Sequence, residues 1–172
     1  MKKYKVIFLD IDGVLNSVEF NIWKKDNKVK CGSINPKECQ RLDKFCTEYD
    51  IKLVISSTWR NGNSYIECIT DFKNEIKDEP GLELIIPHIV GVTPYSKSRH
   101  RGQEIQYFFD IAAGKYPEYK KVMKEDFTIS EYCIVDDDSD MLDTQMSNFV
   151  QTNTWKGINE NDYIKIKQIL KI

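Results

Sequence analysis

The sequence predicts an α/β fold, a three-layer sandwich in which helices cover both faces of a central parallel five-stranded sheet. Three observations lead to this prediction. Short apolar runs alternate with segments of helical periodicity, each run ends in polar turn-type residues, and the 172 residues fit one domain (1–172). Right-handed crossovers between successive strand–helix–strand units make neighbouring strands parallel.

The first half of the chain predicts two strands and one helix. Residues 5–9 form the first apolar run, which ends at Asp10. The polar segment 17–33 contains glycine, and we interpret it as a small flap-like insertion or hairpin that would be a minimal cap. Asn35 and Pro36 match a helix cap with proline in the first turn, and a helix is predicted over 36–49. The second strand is predicted over 51–55.

The second half repeats this alternation. After a break at 61–63, apolar spacing predicts a helix over 65–76. The apolar run 85–92 contains Pro87, which predicts either an edge strand or a strand that begins after the proline. A helix from about 101 to Gly114 and one short helix within 115–130 come next. The remaining predicted elements are a strand at 131–135, a short strand at 148–151 and an amphipathic helix at 163–172.

Composition excludes several classes of protein. With 41% hydrophobic and 30% charged residues and no apolar run long enough to cross a bilayer, we expect a cytoplasmic protein with no membrane partner. A net charge of −2 indicates no general attraction to nucleic acid. The five cysteines show no Cys-x-x-Cys pair and no matching histidine spacing, so structural zinc is not expected.

Two acidic pairs stand at the ends of two predicted strands. Asp10 and Asp12 follow the first strand, and Asp136 and Asp137 follow the fourth. Because reacting groups gather at the carboxyl ends of parallel strands, we expect these acids to converge. Carboxylates are preferred Mg²⁺ ligands, and such a group without a cation would be strongly unfavourable. The sequence therefore predicts an obligatory Mg²⁺ site suited to phosphoryl transfer.

Small polar residues near these acids are candidates for holding a phosphoryl group. Gly13 would let the chain turn sharply and direct backbone N–H groups at an anion. Ser56 ends the second strand, where its hydroxyl and the following N–H groups can hold a phosphoryl oxygen, with Ser57 and Thr58 as alternatives. Trp59 is interpreted as a packing residue.

A cation is also expected over the sheet. Lys97, Arg99 and Arg101 all precede the helix that contains Ile105. Any of them would reach towards a phosphate at the strand ends. Arg60 remains open between a surface charge and a second phosphate contact.

The order of these motifs resembles the haloacid dehalogenase (HAD) superfamily of phosphatases. The resemblance runs from Asp10 to about Asp140 and rests on Asp-x-Asp-Gly-x-Leu-Asn, Ser-Ser-Thr, a basic group and Asp-Asp-Asp. It is closest to small capless members related to the phosphatase domains of polynucleotide end-repair proteins, as the strings 56–60, 101–105 and 136–142 indicate. The chain departs from the common pattern at Val14, where a threonine often follows the glycine.

The resemblance implies a role for each candidate residue. Asp10 would be the nucleophile that forms an aspartyl-phosphate, and Asp12 the general acid and base. The implied Mg²⁺ ligands are Asp10, Asp136, the Asp12 backbone carbonyl and Asp137, the last directly or through water. Ser56 and Arg101 would assist catalysis, Arg101 being preferred over Lys97 because its local string matches best. Implied substrate contacts are Gly13, Ser57, Thr58 and Lys97, and Asp138 and Asp140 would support the ligands or cap a helix.

The small cap favours a large phosphorylated substrate. A nucleic-acid 3′-phosphate or a nucleotide leads, with a phosphoprotein or a small sugar phosphate as alternatives. A phospho-signalling receiver would need adjacent acids after its first strand and a phosphorylatable aspartate after its third, and neither is present. A binding module without turnover is the other alternative, but it would not need both Asp10 and Asp12.

Overall fold

A computed structural model of the protein, which describes residues 1–62 and 64–172, confirms the α/β prediction. Asn63, part of the predicted break at 61–63, lies outside the described residues. The strands are β1 (Lys2–Leu9), β2 (Ile51–Ile55), β3 (Ile89–Val92), β4 (Phe127–Asp136) and β5 (Phe149–Gln151). All pairings are parallel, in the order β3-β2-β1-β4-β5.

Helices flank this sheet. They are α1 (Val18–Asp26), α2 (Pro36–Tyr49), α3 (Tyr65–Glu75), α4 (Leu82–Ile85), α5 (Arg101–Ala112) and α6 (Glu160–Leu170). Three 3₁₀ segments join them, Ile86–His88, Pro117–Val122 and Asp143–Asn148. In the part of the chain that the structure describes, no helix is both long enough and apolar enough to cross a membrane.

The core forms where helix faces cover the central strands. Helices α2 and α6 contact each other through Phe45 and Tyr163, whose ring centroids are 5.0 Å apart. Helix α5 packs on β1 through Phe108 and Phe109, both in ring contact with Phe8. The connections from β1 to β2 and from β2 to β3 run towards one edge of the sheet, whereas the connection from β3 to β4 runs back towards the other edge. Because these crossovers are right-handed, α5 lies on the face opposite α2. Central β1 is therefore covered on both faces, and Val6 to Leu9 are fully buried.

The segment 17–33, interpreted above as a flap or hairpin, contains helix α1. Ser17 caps this helix, its Oγ accepting a hydrogen bond from the Phe20 N–H at 3.2 Å. The loop that follows is tied to the rest of the molecule by Glu79, which accepts hydrogen bonds from the N–H groups of Ser33 at 2.6 Å and Ile34 at 2.9 Å. This short, mostly polar helix carries only a weak apolar stripe, so periodicity did not identify it.

Strand boundaries differ from the prediction in three places. Strand β3 begins after Pro87 and lies at the edge of the sheet, so both interpretations of that run apply, while residues 82–88 are helical. Strands β1 and β4 begin earlier than predicted, at Lys2 and Phe127, and pair along their added residues. Apart from buried Phe127, the added residues are at least partly exposed, and they therefore lack the continuous apolar pattern of the buried strand ends.

Candidate active site

The two acidic pairs lie at the carboxyl ends of adjacent strands. Leu9 of β1 pairs with Val135 of β4, and the ladder continues beyond the strand through a 3.0 Å hydrogen bond from the Asp10 N–H to the Val135 carbonyl. One carboxylate oxygen from each of Asp10, Asp136 and Asp137 lies within 4.8 Å of the others. The predicted convergence of acids 126 positions apart, from Asp10 to Asp136, is therefore present in the structure.

Asp10 and Asp136 are buried, and their pKa values reflect that environment. Burial raises the Asp10 pKa from 3.8 to about 6, although the Ser57 hydroxyl and the Arg101 guanidinium both act in the opposite direction. Burial and the nearby Asp10 carboxylate raise the Asp136 pKa from 3.8 to about 7, again opposed by Arg101. Two carboxyl groups this close together share protons unless a cation balances their negative charge.

The three acids fit a hard divalent cation such as Mg²⁺. All donors are carboxylate oxygens, and a magnesium site requires only a few protein oxygens because waters and phosphate complete the octahedron. Asp137 is held for this purpose by its neighbours: the Thr154 hydroxyl donates to its Oδ2 at 2.6 Å, and the Gln151 side chain donates to its carbonyl at 2.9 Å. The Asp12 backbone carbonyl does not belong to this carboxylate group, and its metal role stays a prediction.

The turn after β1 requires Gly13, but for a different reason from the one predicted. Gly13 adopts a φ of 69°, and a Cβ there would lie 2.2 Å from Cγ of Asp137. The Gly13 N–H donates to the Asn16 carbonyl at 2.8 Å. This amide closes the turn and is not free to face an anion as expected, so a substrate contact through Gly13 stays a prediction without that support. The glycine instead provides space for a metal-site acid.

Asp12 is exposed, lies outside the group formed by Asp10, Asp136 and Asp137, and is held by two neutral donors. The Asn16 side-chain amide donates to its Oδ1 at 2.7 Å, and the Trp59 indole N–H donates to its Oδ2 at 2.9 Å. Sequence reasoning predicted Trp59 only as a packing residue. It does pack against the core, and its polar edge also orients the expected acid–base group.

Of the three candidate cations, Arg101 reaches the buried carboxylates. As the first residue of α5, it donates from Nε to Oδ2 of Asp136 at 3.1 Å and places Nη2 3.6 Å from Oδ1 of Asp10. Asp140 caps the same helix end, accepting a 2.9 Å hydrogen bond from the Arg101 N–H, as the helix-capping alternative predicted. Lys97 and Arg99 are exposed and line a cavity that also adjoins Arg101.

The hydroxyl that contacts Asp10 belongs to Ser57, not to Ser56. Both serines are buried, but the Ser56 Oγ lies 3.5 Å from the Thr93 hydroxyl, whereas the Ser57 hydroxyl hydrogen-bonds Asp10. The expected hydroxyl contact with the acids is therefore made by Ser57, although β2 ends at Ile55 as predicted, and a catalytic role of Ser56 stays a prediction. Thr58 is exposed and lines the cavity with Lys97.

Arg60 is neither a surface charge nor a phosphate contact. It is 1% exposed, pairs with buried Glu104, and donates from Nε to the Thr93 carbonyl at 2.8 Å. Burial lowers the Arg60 pKa, and the Glu104 carboxylate opposes that shift. Glu104 also lies 3.7 Å from Nη1 of Arg101, so one buried acid connects the loop after β2 to the active-site arginine. No sequence signal marked Glu104 beyond its place in the 101–105 string.

The chain matches one family of known proteins over most of its length. Residues 6–163 match the protein family described as the HAD domain in Swiss Army Knife RNA repair proteins. The match confirms the resemblance to the haloacid dehalogenase superfamily and contains all three metal-site acids and Arg101. Comparisons with curated proteins and with solved structures gave no match.

Proposed function

Because the chain belongs to the HAD domain family of Swiss Army Knife RNA repair proteins, we propose that it is a Mg²⁺-dependent phosphomonoesterase that removes a terminal phosphate from a nucleic-acid end. HAD domains are in general phosphatase-type hydrolases that use a divalent metal. The observation that carries the proposal is the convergence of Asp10, Asp136 and Asp137 beside Arg101. With a divalent ion held by the three acids, this set is suited to bringing a phosphate dianion against a carboxylate.

The proposed reaction proceeds by two displacements at phosphorus. The Asp10 carboxylate attacks the phosphoryl group, forming an aspartyl-phosphate as the bond to the leaving oxygen breaks. Asp12, in its protonated form, gives its proton to that oxygen and then takes a proton from the water that hydrolyses the aspartyl-phosphate. Arg101 and the Ser57 hydroxyl would hold phosphoryl oxygens. A divalent ion held by Asp10, Asp136 and Asp137 would supply positive charge that offsets the phosphate.

Two features support a nucleic-acid end as the substrate. The matched family is described by its occurrence in RNA repair proteins. The space beside Arg101 is a wide cavity of about 750 Å³, which is larger than a free phosphate requires. We take the 3′-phosphate as the leading substrate, and a panel of 3′-phosphorylated oligonucleotides, nucleoside monophosphates, sugar phosphates and a phosphoserine peptide tests this choice.

Substitution of Asp10 tests the mechanism. We expect the wild type to hydrolyse p-nitrophenyl phosphate when Mg²⁺ is added and to lose this activity with EDTA. Asp10→Asn should lower kcat at least ~10³-fold, because the amide cannot form the covalent intermediate. The assay is p-nitrophenolate release, with Asp126→Asn as a control that removes an exposed carboxylate remote from the site.

Two results would contradict this mechanism. One is activity of Asp10→Asn equal to that of Asp126→Asn. The other is insensitivity to both beryllium fluoride and vanadate, since these anions mimic a phosphorylated or pentacoordinate aspartyl-phosphate and should inhibit a covalent route.

A further inference from the structure

The cavity beside Arg101 is larger and more cationic than a phosphomonoester needs. Its volume, about 750 Å³, falls within the range of sites that hold a whole small-molecule ligand. Its walls come from four separate segments, namely 58–60 after β2, 95–99 after β3, the start of α5 with Arg101 and Glu104, and 138–140 after β4. Arg101 lines this cavity and also contacts Asp10 and Asp136, so the cavity adjoins the expected reacting carboxylates through Arg101 and reaches the exposed 95–99 segment.

Two cations in this wall have no acidic partner among the described residues. Lys97 and Arg99 are exposed and take part in no ion pair within 1–62 and 64–172, whereas Arg60 and Arg101 are paired with buried acids. Three acids also line the cavity. Glu104 is engaged by both arginines and Asp140 by the start of α5, while Asp138 adjoins the metal acids and donates its N–H to Asp136. Lys97 and Arg99 are thus available for an anion.

The segment that carries these two cations is anchored to α5. The Ser96 N–H donates to Oε1 of Glu104 at 3.0 Å, and the Ser98 hydroxyl donates to Oε1 of Gln103 at 2.5 Å. Arg99 adopts a φ of 55°, a left-handed conformation that is unfavourable for a non-glycine residue. The hydrogen bonds of Ser96 and Ser98 to α5 hold this turn, so the backbone positions of Lys97 and Arg99 are fixed.

Tyr95 contributes an oriented aromatic ring to the same wall. Its hydroxyl donates to the Arg60 carbonyl at 2.6 Å, and the Arg60 guanidinium carbon lies 4.4 Å from the ring centroid. The side chain nevertheless remains 43% exposed. Fixed aromatic rings beside unpaired cations are the combination by which proteins hold single-stranded nucleic acid, the rings stacking on bases and the cations tracking the backbone.

We propose that this cavity is a subsite for the nucleotide that carries the reacting phosphate, with Tyr95 stacking on its base and Lys97 and Arg99 holding the phosphodiester that joins it to the next nucleotide. The inference rests on the proposed phosphatase function and specifies its substrate as a single strand of at least two nucleotides. A mononucleotide has no such phosphodiester and uses only part of the site.

The test compares kcat/KM for three substrates: a single-stranded pentanucleotide with a terminal phosphate, the corresponding nucleoside monophosphate, and p-nitrophenyl phosphate. Both 3′- and 5′-phosphorylated forms are assayed, and the better one is used. We expect the wild type to prefer the pentanucleotide over the monophosphate by roughly tenfold or more at low salt. Lys97→Gln/Arg99→Gln should lower that ratio about tenfold. It should also reduce the salt slope of pentanucleotide cleavage by about 0.7, the contribution of one single-strand phosphate contact.

Matched variants separate this subsite from a general charge effect. Lys3→Gln/Lys44→Gln removes two exposed lysines, one from the start of β1 and one from α2, and should keep the wild-type ratio and slope. Tyr95→Leu should lower the ratio about tenfold through the lost stacking, while Tyr95→Phe, which keeps the ring, should stay within about threefold.

The outcomes distinguish the subsite from the proposed activity. Two results would overturn the subsite while p-nitrophenyl phosphate hydrolysis still supports the phosphatase proposal. In one, the wild type does not prefer the pentanucleotide over the monophosphate. In the other, Lys97→Gln/Arg99→Gln keeps the same preference as the lysine control. A phosphoserine peptide cleaved better than the pentanucleotide also overturns the subsite. Absence of all phosphatase activity in the Mg²⁺-loaded wild type overturns both proposals.

Discussion

At the residue scale, the candidate site separates its two reactive carboxyl groups by environment. Asp10 is buried next to Asp136, where burial raises its pKa to about 6. Asp12, two residues later, lies in solvent and accepts hydrogen bonds from Asn16 and Trp59. A nucleophile needs exact placement against phosphate and metal, whereas an acid–base group must exchange protons with water. The turn at Gly13 makes both environments available within three residues.

Trp59 should be a positioning residue for Asp12. Trp59→Phe keeps an aromatic ring against the core and removes the indole N–H that bonds Oδ2 of Asp12. We expect kcat to fall about tenfold, equivalent to about 1.4 kcal/mol, because the carboxylate loses one of two hydrogen bonds that orient it. The loss should be larger for an alkyl phosphate than for p-nitrophenyl phosphate, since a good leaving group needs little protonation.

The control for this prediction is Trp23→Phe, which changes an exposed tryptophan of α1 that stacks on Phe20. Steady-state rates for both substrates and a thermal melt of each variant provide the readout. A purely structural role for Trp59 would lower the melting temperature and reduce both substrate rates by the same factor, and that result would count against positioning.

At the element scale, Glu104 joins three segments that the sequence separates. Its carboxylate pairs with Arg60 from the loop after β2, accepts the Ser96 N–H from the loop after β3, and approaches Arg101 at the start of its own helix. Arg60 is 1% exposed and Glu104 3% exposed, so both charges are removed from water. Such a buried pair contributes little to the net free energy of unfolding, but removing one member is costly because the other charge stays buried without a partner.

Glu104→Gln should therefore destabilise the fold. The substitution keeps the side-chain shape and an acceptor for Ser96, but it leaves the Arg60 charge uncompensated in the interior. We expect the free energy of unfolding to fall by about 3–5 kcal/mol, the usual cost of breaking a buried pair. Urea denaturation measures this change against Glu48→Gln, an exposed position on α2. A difference between the two variants below about 1 kcal/mol would show that Arg60 does not depend on this acid.

Elements buried on both faces were predictable from the sequence, whereas those stabilised by distant side chains were not. The ends of β1, β2 and β4 are continuous apolar runs because helices cover both faces of a parallel sheet, and this pattern also located Asp10 and Asp136. Helix α1 is short and polar, and Glu79, which holds the loop after it, lies 46 residues from Ser33. The partner of Arg60 lies 44 residues away, so its burial had no local signal.

Which of Ser56 and Ser57 contacts the acids was not predictable for a related reason. The predicted end of β2 at Ile55 was right, but the side-chain directions of the two residues after it had no sequence signal, and only the contact of the Ser57 hydroxyl with Asp10 distinguishes them. Arg101, preferred over Lys97 for its local string, does contact Asp10 and Asp136 from the first position of α5, while its role towards phosphate stays a prediction.

At the scale of the whole molecule, the acidic site couples folding to protons and metal. The pKa values of Asp10 and Asp136 are raised from 3.8 to about 6 and about 7, so the folded state binds more protons than the unfolded chain between about pH 4 and pH 7. Stability falls with rising pH wherever the folded state holds the excess protons. The contribution of these two groups is therefore fully present below about pH 4 and is lost as the pH rises through 6 and 7.

A divalent cation should reverse this loss, so the stabilisation that Mg²⁺ provides should grow with pH. We expect 10 mM Mg²⁺ to raise the melting temperature by about 3–8 °C at pH 8, corresponding to about 2 kcal/mol of linked binding, and by less than half as much at pH 5.5. Protons compete with the metal for Asp10 and Asp136 at the lower pH, which is the physical reason for the difference. Differential scanning fluorimetry with and without Mg²⁺ measures both shifts, and Asp136→Asn should abolish most of the shift at pH 8. A Mg²⁺ shift that is equal at the two pH values, or larger at pH 5.5, would mean that the cation binds elsewhere than at these two carboxylates.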